Sequence, residues 1–339
     1  GAQLVATNLD NDVQASLSPR AADVLRKVQN CSGQIAKELA NAGILPLFGM
    51  PTRVRVLNHG KGRTRDQLQT IDRDVELAIA NFAPGATRTK DKHVYKACSI
   101  GGRLNHASDT TWWSGDLAPL TCYIAVCNKC HQISKTISVP SLDHPCPACQ
   151  TTLNYIKTIS PESYYTDGRK HNPDSPDATG DYTSVETYVE TPEGGRSDLI
   201  CNTQQRFLTS GNVLKLNRGP LREGFELYEK NSLTLFGNVN FRTQNQDSHK
   251  ILSLRGGGDD ISSKHYLLAE RTTNILSIQL ASNRSGLITS MSQLPEPGPI
   301  EAAYYSAATL IVNEVAHSLD ISATEIEVAK IENSSNGPE

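Results

Sequence analysis

The amino-acid sequence predicts an α+β fold, with mixed helices, antiparallel strands and a four-cysteine zinc ribbon inserted among them. Three observations carry this. Two Cys-x2-Cys pairs stand fifteen residues apart at 127/130 and 146/149. Helical periodicity is confined to the two ends and one short central segment. Elsewhere apolar residues come in short alternating or continuous runs bounded by Gly, Pro and Asn, the pattern of strands and turns.

The elements follow in order. Residues 1–43 read as a polar tail and a helical segment. Ser18-Pro19 is an N-cap with proline at the first helical position, and Ala22, Val24, Leu25, Val28, Ile35, Leu39 and Ala42 recur at helical spacing up to Gly43. Asn30-Cys31-Ser32-Gly33 divides it into two helices. Residues 44–119 read as an α/β segment. Thr52-Arg53-Val54-Arg55-Val56 alternates, which puts the valines on one face of a strand and the arginines on the other. A basic flexible loop follows at 59–68, then a helix from Arg73 to Phe82 stopped by Ala83-Pro84-Gly85, and a strand from His93 to Ile100. The zinc ribbon occupies 120–159, with strand-like runs Cys122–Val126 and Ile133–Val139. Residues 160–181, rich in Pro, Asp, Gly and Ser, read as a linker or mobile loop. The part from 182 to 339 is strand-rich, with runs at 183–189, 213–216, 225–228 and 266–280, and ends in an amphipathic helix after Pro297-Gly298-Pro299. In that helix Ala303, Tyr304, Ala307, Ala308, Ile311, Val312, Val315 and Leu319 make one apolar stripe.

Composition narrows the class. The 37% hydrophobic and 20% charged content is that of a soluble globular protein, and no run of 18 apolar residues exists to span a membrane. The N-terminal Gly1-Ala2-Gln3 lacks the pattern of a secretory signal, which fits a cytoplasmic protein or a fragment of a longer one. A net charge of −3 argues against coating nucleic acid with the whole surface and leaves room for a local basic face.

The cysteine spacing is the most specific signal. Each Cys-x2-Cys can form a tight knuckle that turns two sulfurs toward one point, and fifteen residues suffice for a hairpin between the knuckles. Cys127, Cys130, Cys146 and Cys149 would close a tetrahedron around one structural Zn2+ per chain, with no open position for catalysis. His131 and His144 flank the cluster as alternative ligands. Cys31, Cys98 and Cys201 read as ordinary buried thiols, and Cys122 as one that could lie near the cluster.

No catalytic residue is expected. The nearest approach to a phosphate loop, Gly60-Lys61-Gly62-Arg63-Thr64, has its lysine too early, and neither H-E-x-x-H nor G-x-S-x-G occurs. Asp259 and Asp260 read as a solvated turn, with a divalent-ion site of a metal-dependent hydrolase as the alternative, and His249 and His265 as structural histidines. Arg53, Arg55, Lys61, Arg63 and Arg65 form a basic strip that is either a solvated face or a contact for DNA phosphates. Trp112 and Trp113, in a polar loop, either stack on bases or anchor that loop.

Several blocks resemble a known family. Gly43-Ile44-Leu45-Pro46-Leu47-Phe48-Gly49-Met50-Pro51-Thr52, with Ala83-Pro84-Gly85 and the strand and helix around Asn274–Ile278 and Glu301–Leu319, is similar to the C-terminal zinc-binding accessory module of large bacterial DExH-box helicases. The likeness is strongest to Druantia-type anti-phage helicases, with the DISARM partner protein second. It implies an antiviral role beside a helicase motor in the same polypeptide or complex, with DNA as a partner. Gly224-Phe225 lacks the cysteine pair that often follows it in that family, and the glycine-rich stretch after the final helix is not in the sequence. The alternative is a zinc-containing protein-interaction scaffold of a defence complex with no nucleic-acid contact.

Overall fold

The computed structural model describes residues 53–62, 67–102, 104–108, 111–114, 122–138, 145–146, 149–173, 183–190, 196–200, 203–236, 239–243, 251–254, 256, 261–280, 298–331, 333–334 and 337–338. The chain divides into two compact units, Gly1–Val54 and Arg55–Glu339. The helices expected within 1–43 lie outside the described residues, and the architecture is that of the second unit.

Its elements begin with β1 (Val54–Lys61), β2 (Leu68–Asp74), helix α1 (Val75–Asn81), β3 (Thr87–Lys90), β4 (His93–Gly101), β5 (Leu104–Ser108) and β6 (Thr111–Ser114). Next come β7 (Cys122–Val126), β8 (Ile133–Thr136), β9 (Ile156–Ile159) and β10 (Ser163–Thr166). The later part holds β11 (Val185–Val189), β12 (Arg196–Ile200), β13 (Thr203–Asn217), β14 (Phe225–Lys230), β15 (Ser232–Leu235), β16 (Val239–Thr243), β17 (Ile251–Ser253) and β18 (Ser262–Leu280). Helix α2 (Gly298–Leu319) and the short pair β19 (Asn333–Ser334) and β20 (Gly337–Pro338) complete it.

Among the described residues the fold is mostly β-sheet, with few helices, so the expected α+β mixture is weighted far toward strands. The main sheet runs β2-β1-β10-β4-β17-β14-β18-β9-β7-β8, with β3 on β4 and the long β13 along β18 carrying β11 and β12. A second sheet has the order β15-β16-β6-β5.

Period-two alternation sorts the core into layers. On β18, Leu267 and Ala269 point into one cluster and Tyr266 and Leu268 into another. The first cluster lies under α1, whose Val75, Ala78 and Ile79 pack with Leu57, Ile100 and Tyr164. The second lies under the ribbon strands, where Ile124, Val126 and Ile133 meet Tyr188, Leu214 and Leu216. A third, around Tyr165 and Phe241, joins the main sheet to the smaller one. Helix α1 starts where Asp74 Oδ1 accepts the Glu76 N–H at 2.9 Å. At its other end the buried Asn217 donates to the Ile79 carbonyl at 2.7 Å, which satisfies one of the acceptors a helix end leaves over.

Three expectations need correction. Residues 163–166 are not linker. They form β10, wholly buried and paired with β1 in parallel and β4 in antiparallel register. Tyr164 enters the α1 cluster and Tyr165 the opposite one, so this strand has no polar face from which to be recognised. Trp112 and Trp113 lie on strand β6, opposite Phe241 and Arg242 of β16, rather than in a loop. The apolar stripe of α2 is not a buried face. Ile300 and Ala316 are buried, while Leu310, Ile311 and Leu319 are exposed.

Candidate metal centre

Strands β7 and β8 pair as a hairpin whose last register pair is Val126↔Ile133, and Cys127 to Gln132 form the knuckle between them. The Cys127 N–H donates to the Gln132 carbonyl at 3.0 Å, and the His131 N–H donates back to the Cys127 carbonyl at 3.0 Å. The second knuckle repeats this pattern nineteen residues on. The Cys146 N–H donates to Thr151 O at 2.8 Å, and the Gln150 N–H to Cys146 O at 2.9 Å. In both, the residue after the second cysteine is left-handed, His131 at φ 60° and Gln150 at φ 60°. This turn aims both sulfurs of each pair inward.

The four sulfurs converge. Cys127 Sγ lies 3.4 Å from Cys149 Sγ, and Cys130 Sγ lies 3.5 Å from Cys146 Sγ. All four fall within 4.8 Å of one another. A disulfide needs about 2.05 Å. A tetrahedral ion with metal–sulfur bonds of about 2.3 Å separates its ligands by about 3.8 Å. The donor set therefore fits a tetrahedral metal ion. Ala125 and Leu153 pack around it, and only Cys149 is not fully buried.

Electrostatics point the same way. Burial pushes the Cys127 and Cys130 thiols up, so neither ionises there unless a cation occupies the centre. Burial acts in that direction on Cys149 too, but the Thr151 hydroxyl, 3.2 Å from its Sγ, and the Thr151 backbone outweigh it and bring the thiol down to about 6. Thr151 is a supporting residue that the spacing rule does not reveal, since a hydroxyl two residues after a cysteine is commonplace.

The other expected residues are placed as follows. Cys122 is not a fifth sulfur. It sits at the far end of β7, 2.9 Å from Thr158 Oγ1, in the core under the ribbon. His131 is not a ligand either, because its Nε2 faces Glu301 Oε2 of α2 at 3.5 Å. Burial holds the imidazole pKa below its ordinary value, so the charged partner of Glu301 is Lys330. Burial alone would raise the Glu301 pKa, but Lys330 outweighs it and holds the carboxyl below the usual range. Helix α2 and the C-terminal segment are thereby tied to the first knuckle. His144, Asp259, Asp260, His249, Cys31 and Cys201 lie outside the described residues. Cys98 is buried on β4. His265 is buried on β18 with Ser263 Oγ 2.7 Å from its Nε2, a structural histidine.

The basic strip does not form as one surface. Arg55 shares a face of β1 with Leu57 and His59, and Leu57 is in the α1 cluster, so the arginine lies on the core side. Its charge acts on the buried Tyr164 phenol. The exposed Val54 is on the opposite face. Further along the strand both faces are covered, by Leu57 and His59 on one side and Asn58 on the other, so neither face of β1 is an outer one over its whole length. Lys61 stands about 20 Å further along the strand. Arg63 and Arg65 lie outside the described residues, as do the side chains of Trp112 and Trp113.

No helix among the described residues is long and apolar enough to cross a membrane. No family model, no characterised protein and no solved structure matches the chain.

Proposed function

We propose that this chain is a non-motor accessory module, stabilised by one structural zinc ion, which positions DNA for a DExH-box helicase motor in an anti-phage defence system. The observation that carries the reading is the closed four-sulfur centre, whose donors leave no position for water or substrate and so suit stabilisation rather than catalysis. Zinc suits four thiolates in a single tetrahedral site better than any harder cation does. The motor and the defence role rest on the resemblance of 43–54 and the later blocks, and the absence of catalysis on the missing phosphate loop.

An ATPase and unwinding assay tests this, on the chain alone and on the motor with and without it. The chain alone should turn over no ATP, and its addition should alter unwinding by the motor. ATP turnover that persists in rigorously purified chain would overturn the reading.

A protein-interaction scaffold is the second reading. It is favoured by the outer part of the β12–β13–β18 ribbon, where Ile200, Phe207, Leu276 and Leu280 sit in register on one face and are all substantially exposed.

A further inference from the structure

We propose that the DNA contact lies not at the N-terminal end of β1 but at the corner of the main sheet where the β3–β4 turn, the β1–β2 hairpin end and the turn at 167–171 meet, and that this corner takes the phosphate backbone. The proposal rests on the DNA-positioning reading above and gives it a surface.

Three segments of the chain converge there. Gly62 N–H donates to Gln67 O at 2.8 Å and so closes the β1–β2 hairpin, with Lys61 exposed beside it. Lys90, last in β3, reaches that hairpin and donates to Thr70 O at 2.8 Å. Its partner is an uncharged carbonyl, so its charge remains for a ligand. Asp91 and Lys92 make the two-residue turn to β4. Beside β4, Val94 and His171 exchange both backbone hydrogen bonds at 3.0 and 2.9 Å, which fixes the turn carrying Arg169 and Lys170. Lys92, Arg169 and Lys170 are exposed and, among the described residues, held in no ion pair.

The charge balance is lopsided. Among the described residues, Lys90, Lys92, Arg169 and Lys170 stand against two carboxylates, Asp91 and Asp167, a surplus of two on a chain whose net charge is −3. Asp167 is moreover 2.9 Å from His171 Nε2. Clustered cations with few local counter-charges gain affinity for a polyphosphate by releasing its counterions. Two further observations single the corner out. Lys92 sits at φ 63°, a conformation in which glycine carries no penalty and a lysine does. His59, on β1, is only 4% exposed, and neither ring nitrogen has a hydrogen-bond partner among the described residues. Its ring lies 4.5 Å from that of Tyr95, and Lys90 and Lys170 are near enough to act on it.

The test is fluorescence anisotropy of the full chain with labelled single-stranded and duplex DNA over a range of salt. Parent protein should bind with a log–log salt slope that Lys92→Glu/Arg169→Glu/Lys170→Glu flattens by about two to three units. Lys264→Glu, an exposed charge reversal on another strand, should change it by less than one. Lys92→Gly should weaken binding while leaving the thermal midpoint unchanged or higher, a combination that a purely structural lysine would not give. A triple variant that binds as the parent does would overturn this surface and leave the DNA reading standing. A parent that binds neither DNA would overturn both. Polyglutamate bound as tightly as DNA at the same salt would overturn the assignment to nucleic acid.

Discussion

The four-cysteine ribbon at 122–159 and strand β10 a few residues later are held in place by opposite means. The ribbon is closed locally. Two knuckles of the same hydrogen-bond pattern present four sulfurs to one point, and the flanking strands pair over short sequence distances. Strand β10 contributes only four residues, and its position depends on partners far away in sequence, Val56–Asn58 on one side and Ala97–Gly101 on the other. The difference teaches that one chain can place its metal donors by local turns and its central strand by long-range pairing and burial. The two should therefore fail differently.

The largest expected effect is on the ribbon. Four thiolates bind structural zinc with an apparent free energy of about 10–16 kcal/mol, and that binding is folding free energy for the segment. Purified protein should carry one zinc per chain. Chelation, Cys127→Ser or Cys146→Ser should raise amide exchange across 122–159 first, with β10 protected until later. Folded protein found free of zinc by metal analysis would refute the assignment, and simultaneous exposure of both segments would erase the contrast.

Strand β10 comes next. Tyr164 is fully buried against Phe82, with ring centroids 5.6 Å apart, so Tyr164→Ala should cost about 3–5 kcal/mol in a denaturant melt without changing zinc content. Its hydroxyl has no partner among the described residues, so Tyr164→Phe should be neutral or stabilising. A large loss in the Phe variant would reveal a partner for that hydroxyl, a buried water included.

These two segments also mark what the sequence could tell. The donor set was legible because the information lies in spacing alone, and two x2 turns fifteen residues apart leave little choice of geometry. Strands such as β8 and β14 were legible because one face is polar, and β7 because its apolar run is continuous. Strand β10 was hidden. Ser163-Tyr164-Tyr165-Thr166 is short, both faces are buried, and its flanks Pro161-Glu162 and Asp167-Gly168 carry turn chemistry. Arg55 was misplaced for a related reason. Alternation gives two faces but not how far each is covered, and on β1 packing buries Leu57 on one face and Asn58 on the other. Of the corner at 59–61, 90–92 and 169–170, the basic character of Lys61 was legible, but its meeting with the other two segments was not, because long-range pairing assembles it.

A third prediction separates acid sensitivity of the core from that of the metal centre. Burial, with Lys157 adding to it, lowers the His265 pKa to about 4. An unfolded histidine titrates near 6.5, so between about pH 6.5 and 4 the unfolded chain binds the extra proton. Stability from the neutral histidine is thus present above 6.5 and lost as pH falls toward 4, by up to about 3 kcal/mol. His265→Gln should show a shallower fall over that window than the parent. Because zinc loss affects both proteins alike, their difference isolates the histidine. Parallel curves would show that folding leaves the His265 pKa unshifted.

The smallest effect probes the knuckles against each other. His131 and Gln150 occupy the same place in the repeat, each at φ 60°, where an L-residue costs about 1–2 kcal/mol relative to the right-handed conformation. Glycine escapes that cost but loses more chain entropy on folding, about 0.5–1 kcal/mol. Gln150 is exposed, so Gln150→Gly has only these two terms to balance and should stabilise by up to about 1 kcal/mol. His131 is different, since its ring faces Glu301 and helps to seat α2 on the first knuckle. The same relief at His131→Gly is therefore offset by a lost contact, and that variant should be less stable than Gln150→Gly. Thermal melts of both variants, with zinc content measured to confirm an intact centre, give the comparison. Equal shifts would mean that α2 gains nothing from His131. A clear loss in Gln150→Gly would mean that the second knuckle depends on its side chain as much as the first.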